Sequence, residues 1–270
     1  VREGRDVLVA TKSTRPEGAS SWWAQGGIAV ARDDPAQFRR DIVAASDGTA
    51  DLDAVETLVE NANEAVSDVL VDTLDVSFDG DADPSDGPDG TPAAAGATGA
   101  TGASLTGGGG FDFGREAAHS EDRILHVGAA TGKHVHVPFL NHLDDRDGVE
   151  IRTDAAALEL IRHEGRIHGA VVESGGEREP VYAGATVLAT GGIGDLFPRS
   201  TNPAGSTGDG IAMAALAGAD VTDMEYVQYH PTAYAADADG DGLLVSEAVR
   251  GEGAGLRHGD GERFLPGYPE

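Results

Sequence analysis

The sequence predicts a mixed fold of class α/β or α+β, from three observations. Short apolar runs of strand length recur along the chain, at least two segments have helical spacing, and glycines stand directly after apolar runs. Residues 6–11 (Asp-Val-Leu-Val-Ala-Thr) read as a short buried strand, and Gly26-Gly27-Ile28-Ala29-Val30-Ala31 follows a polar loop bearing Ser and Gly. From Asp51 to about Asp72, apolar residues fall at Val55, Leu58, Val59, Ala62, Ala65, Val66, Val69 and Leu70. That is the spacing of a helix, with acidic residues near its start where the helix dipole favours them. Ile124-Leu125-His126-Val127 and His134-Val135-His136-Val137 flank a Thr-Gly turn. A run of short strands is then expected at Glu150–Thr153, Ala157–Ile161, Gly169–Glu173 and Thr186–Ala189, before a helix at Ile211–Leu216.

Between Gly80 and Gly110 the chain is nearly all Gly, Ala, Thr, Asp, Pro and Ser. Such a composition does not build a packed core, so it reads as a flexible surface insertion. At 270 residues the remainder suffices for one large domain or one and a half. Val1 in the place of a Met, and a stop at Glu270 just after Pro269, carry the expectation of an internal stretch of a longer protein.

Charge narrows the function. There are 47 acidic residues against 19 basic ones, for a net charge of -28. Only Lys12 and Lys133 are lysines, and no Lys or Arg stands between Arg40 and Arg115. Nucleic acid is excluded as a partner class, because phosphate binding needs clustered positive charge. No apolar stretch approaches the roughly 18 residues that cross a bilayer, so no membrane partner is expected. The absence of cysteine excludes disulfides and thiolate metal sites and fits a cytoplasmic setting. Acidity of this degree accompanies disorder, but 40% hydrophobic content in periodic segments argues for a folded, salt-adapted protein.

Three Gly-bearing segments carry the candidate chemistry. Ala183–Gly192 is an apolar run ending in Thr190-Gly191-Gly192, where backbone N–H groups approach a phosphate or a flat cofactor; an ordinary strand-turn has the same pattern. Gly205–Met213 places Asp209 at the start of a helix. There it is either a helix cap or an acceptor for cofactor hydroxyls, with the helix N-terminus facing the ligand. The third segment, Ser20-Ser-Trp-Trp-Ala-Gln-Gly-Gly-Ile28, holds two tryptophans among small polar residues.

Taken in order, the motifs resemble one flavoprotein family. They are Lys12-Ser13, Glu17-Gly18, Ser20–Ile28, Arg115-Glu116 with His119-Ser120, Arg123-Ile-Leu-His126, Ala130-Thr-Gly132, Ala189-Thr-Gly-Gly192, Thr201-Asn-Pro203, Gly208–Met213, His230-Pro-Thr232 and Ser246–Gly253. The family comprises succinate dehydrogenase and fumarate reductase flavoprotein subunits together with L-aspartate oxidases. The resemblance spans the chain except the 80–110 segment. It implies an α/β FAD-binding domain of the two-dinucleotide-binding, Rossmann-like type over residues 1–228, and the start of a substrate-capping domain over 229–270.

Two details point to the oxidase branch. Respiratory succinate dehydrogenases tether FAD covalently through a histidine whose matching position here is Ser20, so the resemblance implies non-covalent FAD. Leu105-Thr-Gly followed by Gly114-Arg-Glu-Ala-Ala-His-Ser120 is similar to the oxidase segment in which a glutamate meets the substrate's amino group; Ala117-Ala118 depart from its two glycines. By the same resemblance, Lys12, Ser20, Ser21, Ala24, Gln25, Gly26, Gly27, Thr190, Gly191, Gly192 and Asp209 are cofactor-binding candidates. The catalytic candidates are Glu116, His230, Ser246, Glu247 and Arg250. His230 before Pro231 is held extended, and its motif binds a dicarboxylate in the family. Ser246 and Arg250 share a face if helical.

The resemblance further implies oxidation of L-aspartate to iminosuccinate, oxygen or fumarate as acceptor, and a quinolinate synthase partner in NAD biosynthesis. A soluble fumarate reductase or succinate dehydrogenase flavoprotein is the alternative. The Gly-x-Gly-x-x-Gly loop is expected before Val7. The acid/base arginine, a second substrate arginine and a helical domain are expected after Glu270, so the 270 residues alone are not expected to turn over.

The acidic composition makes a first prediction. In dilute buffer the protein's helical circular dichroism should fall, and molar KCl should restore it, because salt screens the self-repulsion. Full stability without salt would contradict the high-salt reading.

Overall fold

The computed structural model describes residues 4–80, 105–106, 110–116, 118–228, 230, 232–234, 243–245 and 254–264. In chain order the elements are β1 (Val7–Ala10), β2 (Ile28–Ala29), α1 (Pro35–Ala45), α2 (Leu52–Val66), β3 (Phe113–Gly114), β4 (Ile124–Leu125), α3 (Thr131–Asp144), β5 (Val149–Arg152), β6 (Ala155–His163), β7 (Arg166–Ser174), β8 (Glu177–Tyr182), α4 (Asp209–Leu216), β9 (Ala233–Tyr234) and β10 (Leu243–Leu244). Parallel and antiparallel pairs with interspersed helices make this an α/β protein. The chain divides into two compact units, Val1–Trp23 with Leu140–Val245, and Ala24–Phe139 with Ser246–Glu270.

In the first unit, β1 pairs in parallel with β5, Val7 opposite Val149. Strands β6, β7 and β8 form an antiparallel meander. Its turns have φ of 47° and 77° at Glu164-Gly165 and 60° and 83° at Gly175-Gly176. Two consecutive positive φ values match the right-handed twist of a tight hairpin, which is why glycine recurs there.

In the second unit, β2, β4 and β3 form a small antiparallel sheet beside α1 and α2. Asp34 caps α1 by accepting from Gln37 N–H, with Pro35 in the first turn. Asp51 caps α2 by accepting from Asp53 and Ala54 N–H. Val55 and Val59 of α2 pack with Ala31 and Phe38. The helix then passes into a π turn at Ser67–Val71. Beyond it, Leu70, Leu74, Val76 and Phe78 join a second cluster with Val30 and Leu125.

One side chain ties this unit together. Arg123 is fully buried. Its Nη1 donates to the carbonyls of Val30 at 3.3 Å and Ala31 at 3.2 Å, and its guanidinium lies 4.9 Å from the Phe38 ring centre. Nη2 stands 3.8 Å from Asp41 Oδ2. Asp41 in turn accepts from Ser120 N–H at 3.0 Å, Ser120 Oγ at 2.9 Å and Gln37 Nε2 at 2.7 Å.

Several expectations need correction. Residues 7–10 form a strand, but Val9 and Ala10 are exposed rather than buried. His134–Val137 lies inside α3, since four alternating residues are too few to separate period 2 from period 3.6. The helix starts where Val127 N–H donates to Thr131 Oγ1 and Gly132 N–H to Ala24 O, and half-buried Val135 packs onto the larger cluster. Thr186–Ala189 pairs with no described strand, and Val187 is 86% exposed. A strand exists only as a ladder, and an apolar run does not supply its partner. Within the 80–110 segment most residues lie outside the described ones, but Leu105 is a core residue beside Val66 and Leu125 rather than part of a surface insertion. Helix α1 and strand β8 went unread, although Asp34-Pro35 is a helix-start signal.

The Asp41 node makes a pH prediction. Burial alone would raise this carboxyl's pKa, but hydrogen bonds from Ser120 and Gln37 and the charge of Arg123 outweigh it and hold it below 3.8. A depressed folded value means that the carboxylate's contribution is present above 3.8 and lost as pH falls through the folded value. Asp41→Asn should therefore lower stability by about 2 kcal/mol at neutral pH in urea melts. The gap to wild type should close under acid; a gap that stays constant with pH would refute the assignment.

Candidate functional site

In the first unit, β1 delivers Lys12 to the start of α4. Lys12 Nζ donates to Asp209 Oδ2 at 2.6 Å, Gly205 O at 2.6 Å and Thr207 Oγ1 at 3.2 Å. Thr207 Oγ1 also donates to Asp209 Oδ1 at 2.8 Å. The Lys12 hydrogen bond, then that of Thr207, holds the Asp209 carboxyl below its usual range. Asp209 is not the helix cap. Gly208, with φ of 77°, takes that position, and Asp209 is the first residue of α4. A side chain at Gly210 would collide with Thr190, so glycine lets Thr190 lie against the first turn of α4. A Cβ at Gly191 or Gly192 would point into open space. Ser20 Oγ donates to Asn202 Oδ1 at 3.3 Å, and Ser20 and Ser21 are exposed. His230 is half-buried, and its Nδ1 accepts from Thr232 N–H at 3.3 Å.

In the second unit, Gln25, Gly26 and Glu116 line one cavity of about 350 Å³ with Asp79, Asp112, Gly114, Arg115, Asp122 and His126. A Cβ at Gly26 would overlap the Glu116 carboxylate, so that carboxylate lies directly on the Gly26 backbone. A Cβ at Gly27 would overlap Leu125 O, which explains glycine where β2 meets β4. The loop that bears Glu116 is stapled by Arg115, which donates to His119 O at 3.2 Å and Ser120 O at 2.9 Å. Burial first, and then the Arg123 charge, push the neighbouring His119 below its usual imidazole range. Ala118 has φ of 72°. A non-glycine residue there costs on the order of 1 kcal/mol, so the loop holds its bend without the glycine that the resemblance leads one to expect. Ala117, Ser246, Glu247 and Arg250 lie outside the described residues.

The structure thus brings Lys12, Thr190 and Asp209 together in one unit, and Gln25, Gly26 and Glu116 together in the other. It also shows a pair that sequence reasoning passed over: His126 and Asp79, hydrogen-bonded at 2.9 Å on the cavity that holds Glu116. The donor set of the first unit fits a nucleotide cofactor. A lysine-held carboxylate at a helix N-terminus accepts hydroxyls, and an open Gly-Gly backbone admits a flat or phosphate-bearing group. Among the described residues no group of side chains could hold a metal, and no helix is long and apolar enough to cross a membrane.

Such an arrangement defines an α/β protein that binds a nucleotide cofactor. The sequence profile of the FAD binding domain family matches residues 1–268; the chain belongs to that family, and its cofactor is FAD. The chain is 58% identical over its whole length to the L-aspartate oxidase of Halobacterium salinarum, of which it covers 48%. With the L-aspartate oxidase of Streptomyces coelicolor it shares 39% identity over 99% of its length and 43% of the relative's. It therefore spans about half the length of these relatives. Among solved structures it is similar to an E. coli quinol fumarate reductase chain, with TM-score 0.79, 25% identity, and 99% of this chain against 42% of that one covered. A Mycobacterium smegmatis Sdh1 chain matches with TM-score 0.75 at 27% identity over 98% of this chain and 43% of the other.

Asp209→Ala in the full-length protein is expected to weaken FAD binding about 10- to 100-fold in equilibrium dialysis, the worth of a hydrogen bond to a charged acceptor. Unchanged affinity would reduce the Lys12–Asp209 pair to a surface ion pair.

Proposed function

We propose that the parent protein is an FAD-dependent L-aspartate oxidase, converting L-aspartate to iminosuccinate as the first step of NAD biosynthesis. The observation that carries this reading is the Glu116 carboxylate on the Gly26 backbone, lining a cavity in the second unit. A fixed carboxylate recognises an ammonium group, which aspartate has and succinate lacks. The names of the relatives at 58% and 39% identity support the same branch.

Bound FAD supplies the two-electron acceptor for the hydride that leaves the substrate's α-carbon. The remaining work belongs to side chains. Lys12, Ser20, Ser21, Ala24, Gln25, Gly26, Gly27, Thr190, Gly191, Gly192 and Asp209 hold the cofactor, non-covalently because Ser20 has no nitrogen to form the tether. His230 and Ser246 hold the substrate carboxylates through charge-assisted hydrogen bonds. Glu116 meets the ammonium, and Glu247 and Arg250 complete the charge network. Oxygen or fumarate takes the electrons onward, and a quinolinate synthase consumes the product in the cytoplasm. Residues 1–228 form the FAD-binding domain in this reading, and 229–270 begin the capping domain.

A soluble fumarate reductase or succinate dehydrogenase flavoprotein is the second reading, favoured by the structural likeness to the E. coli fumarate reductase chain. The two part on the ammonium. A carboxylate within about 4 Å of it contributes on the order of 1 to 4 kcal/mol, or roughly a factor of 5 to 1,000 in kcat/KM. In the full-length enzyme Glu116→Gln should lower kcat/KM for L-aspartate at least about tenfold. Fumarate reduction with a chemically reduced flavin should stay within a few-fold of wild type. Equal loss of both activities would make Glu116 structural, and a wild type that oxidises succinate and ignores aspartate would establish the second reading.

A further inference from the structure

The cavity that Glu116 lines also presents an imidazole held by a carboxylate. His126 Nδ1 lies 2.9 Å from Asp79 Oδ2. Asp79 is itself fixed at several points: Gly128 N–H donates to the same Oδ2 at 2.7 Å, Asp79 N–H donates to His126 O at 2.9 Å, and Asp112 N–H donates to Asp79 O at 2.8 Å. A carboxylate accepting at Nδ1 selects the tautomer with the proton on Nδ1, which leaves the Nε2 lone pair for another group. The far edge of the ring is kept clear by a glycine. A Cβ at Gly114 would stand 3.0 Å from His126 Cδ2 and 3.3 Å from Nε2. The other charged groups on the cavity are Asp112, Arg115, Glu116 and Asp122, and Arg115 spends hydrogen bonds on the carbonyls of His119 and Ser120.

We propose that His126, oriented by Asp79, is the base that removes a proton from the substrate's α-ammonium group. This rests on the L-aspartate reading of the same site. An ammonium nitrogen has no lone pair, so it cannot form the C=N bond as hydride leaves the α-carbon. One N–H bond must break first or concurrently. Its electron pair stays on nitrogen and becomes the new π bond, the proton goes to His126 Nε2, and the α-hydrogen leaves with its pair to the bound oxidised flavin. The ammonium substrate thus yields an iminium, a reduced flavin and an imidazolium, and charge balances. Glu116 and His126 divide the work. The Glu116 carboxylate attracts the cation, and the Asp79-held imidazole on the same cavity offers the Nε2 lone pair that takes the proton.

The test uses the full-length, FAD-loaded enzyme and anaerobic stopped-flow reduction of the flavin by L-aspartate across pH. His126→Gln should retain bound FAD but be reduced about 100-fold more slowly at neutral pH. The deficit should narrow at alkaline pH, where the substrate already carries a free amine. Asp79→Asn should give a smaller loss of the same pH shape. Histidine-selective 15N spectra supply a readout independent of turnover. The resonance that disappears in His126→Gln should report an Nδ1–H tautomer in wild type and redistribute toward Nε2–H in Asp79→Leu. A pH-independent deficit, a His126→Gln rate within threefold of wild type, or an Nε2–H tautomer in wild type overturns the assignment while leaving the aspartate reading intact. A wild-type flavin that L-aspartate does not reduce overturns both. If His126→Gln loses its flavin, Asp79→Asn and the tautomer decide.

Discussion

The second unit depends on one buried cation. Arg123 has no exposed side-chain surface, yet among the described residues its charge is met at hydrogen-bond range only by backbone carbonyls, with the Asp41 and Glu121 carboxylates at 3.8 and 3.6 Å. Desolvating a guanidinium costs several kcal/mol; the carbonyls, the Phe38 face and the nearby carboxylates offset part of that cost, while Nε and Nη2 make no hydrogen bond among the described residues. The consequence is geometric. Arg123 fixes the residues after β2, and Ser120 binds the loop between β3 and β4 to Asp41 of α1. Glu116 sits on that loop, so the position of its carboxylate over Gly26 is a downstream result of where one arginine is buried.

A protein with net charge -28 must also place its carboxylates so that they do not unfold it. Four stand at helix starts, where a negative charge is favourable. Asp34 and Asp51 cap α1 and α2, Asp53 lies in the first turn of α2, and Asp209 opens α4 with Lys12 beside it. Helix N-termini stabilise such charges locally. The remaining repulsion is long-range and is screened by salt. Likeness to a Halobacterium protein at 58% identity accords with that solution.

The cavity of the second unit shows how local charge serves selection. Four carboxylates and one arginine surround it, with the arginine engaged by its own loop. Such a field favours a cationic group. Within it, the Glu116 carboxylate and the imidazole held by Asp79 line one cavity, a charge that attracts a cation and a ring fixed in orientation beside it.

The sequence by itself determined the mixed fold, helix α2 with acidic residues near its start, the meander strands β6 and β7, and the identity of the Gly-bearing motifs. These are local properties: an apolar period, a cap or a turn glycine acts over a few residues, and so it can be read along the chain. Lys12 and Asp209 could each be named, but their ion pair spans nearly two hundred positions and exists only because the chain just after β1 meets the start of α4. Whether His134–Val137 was strand or helix was settled by the contacts of Thr131 and Gly132, and Thr186–Ala189 lacks a ladder because pairing requires a second segment. Leu105 reads as part of a low-complexity run until its neighbours in the core are known. Asp79 and His126 stand 47 positions apart and carry no shared spacing. Only the tertiary structure decided that they meet, because a hydrogen bond between distant residues depends on where the backbone has carried them.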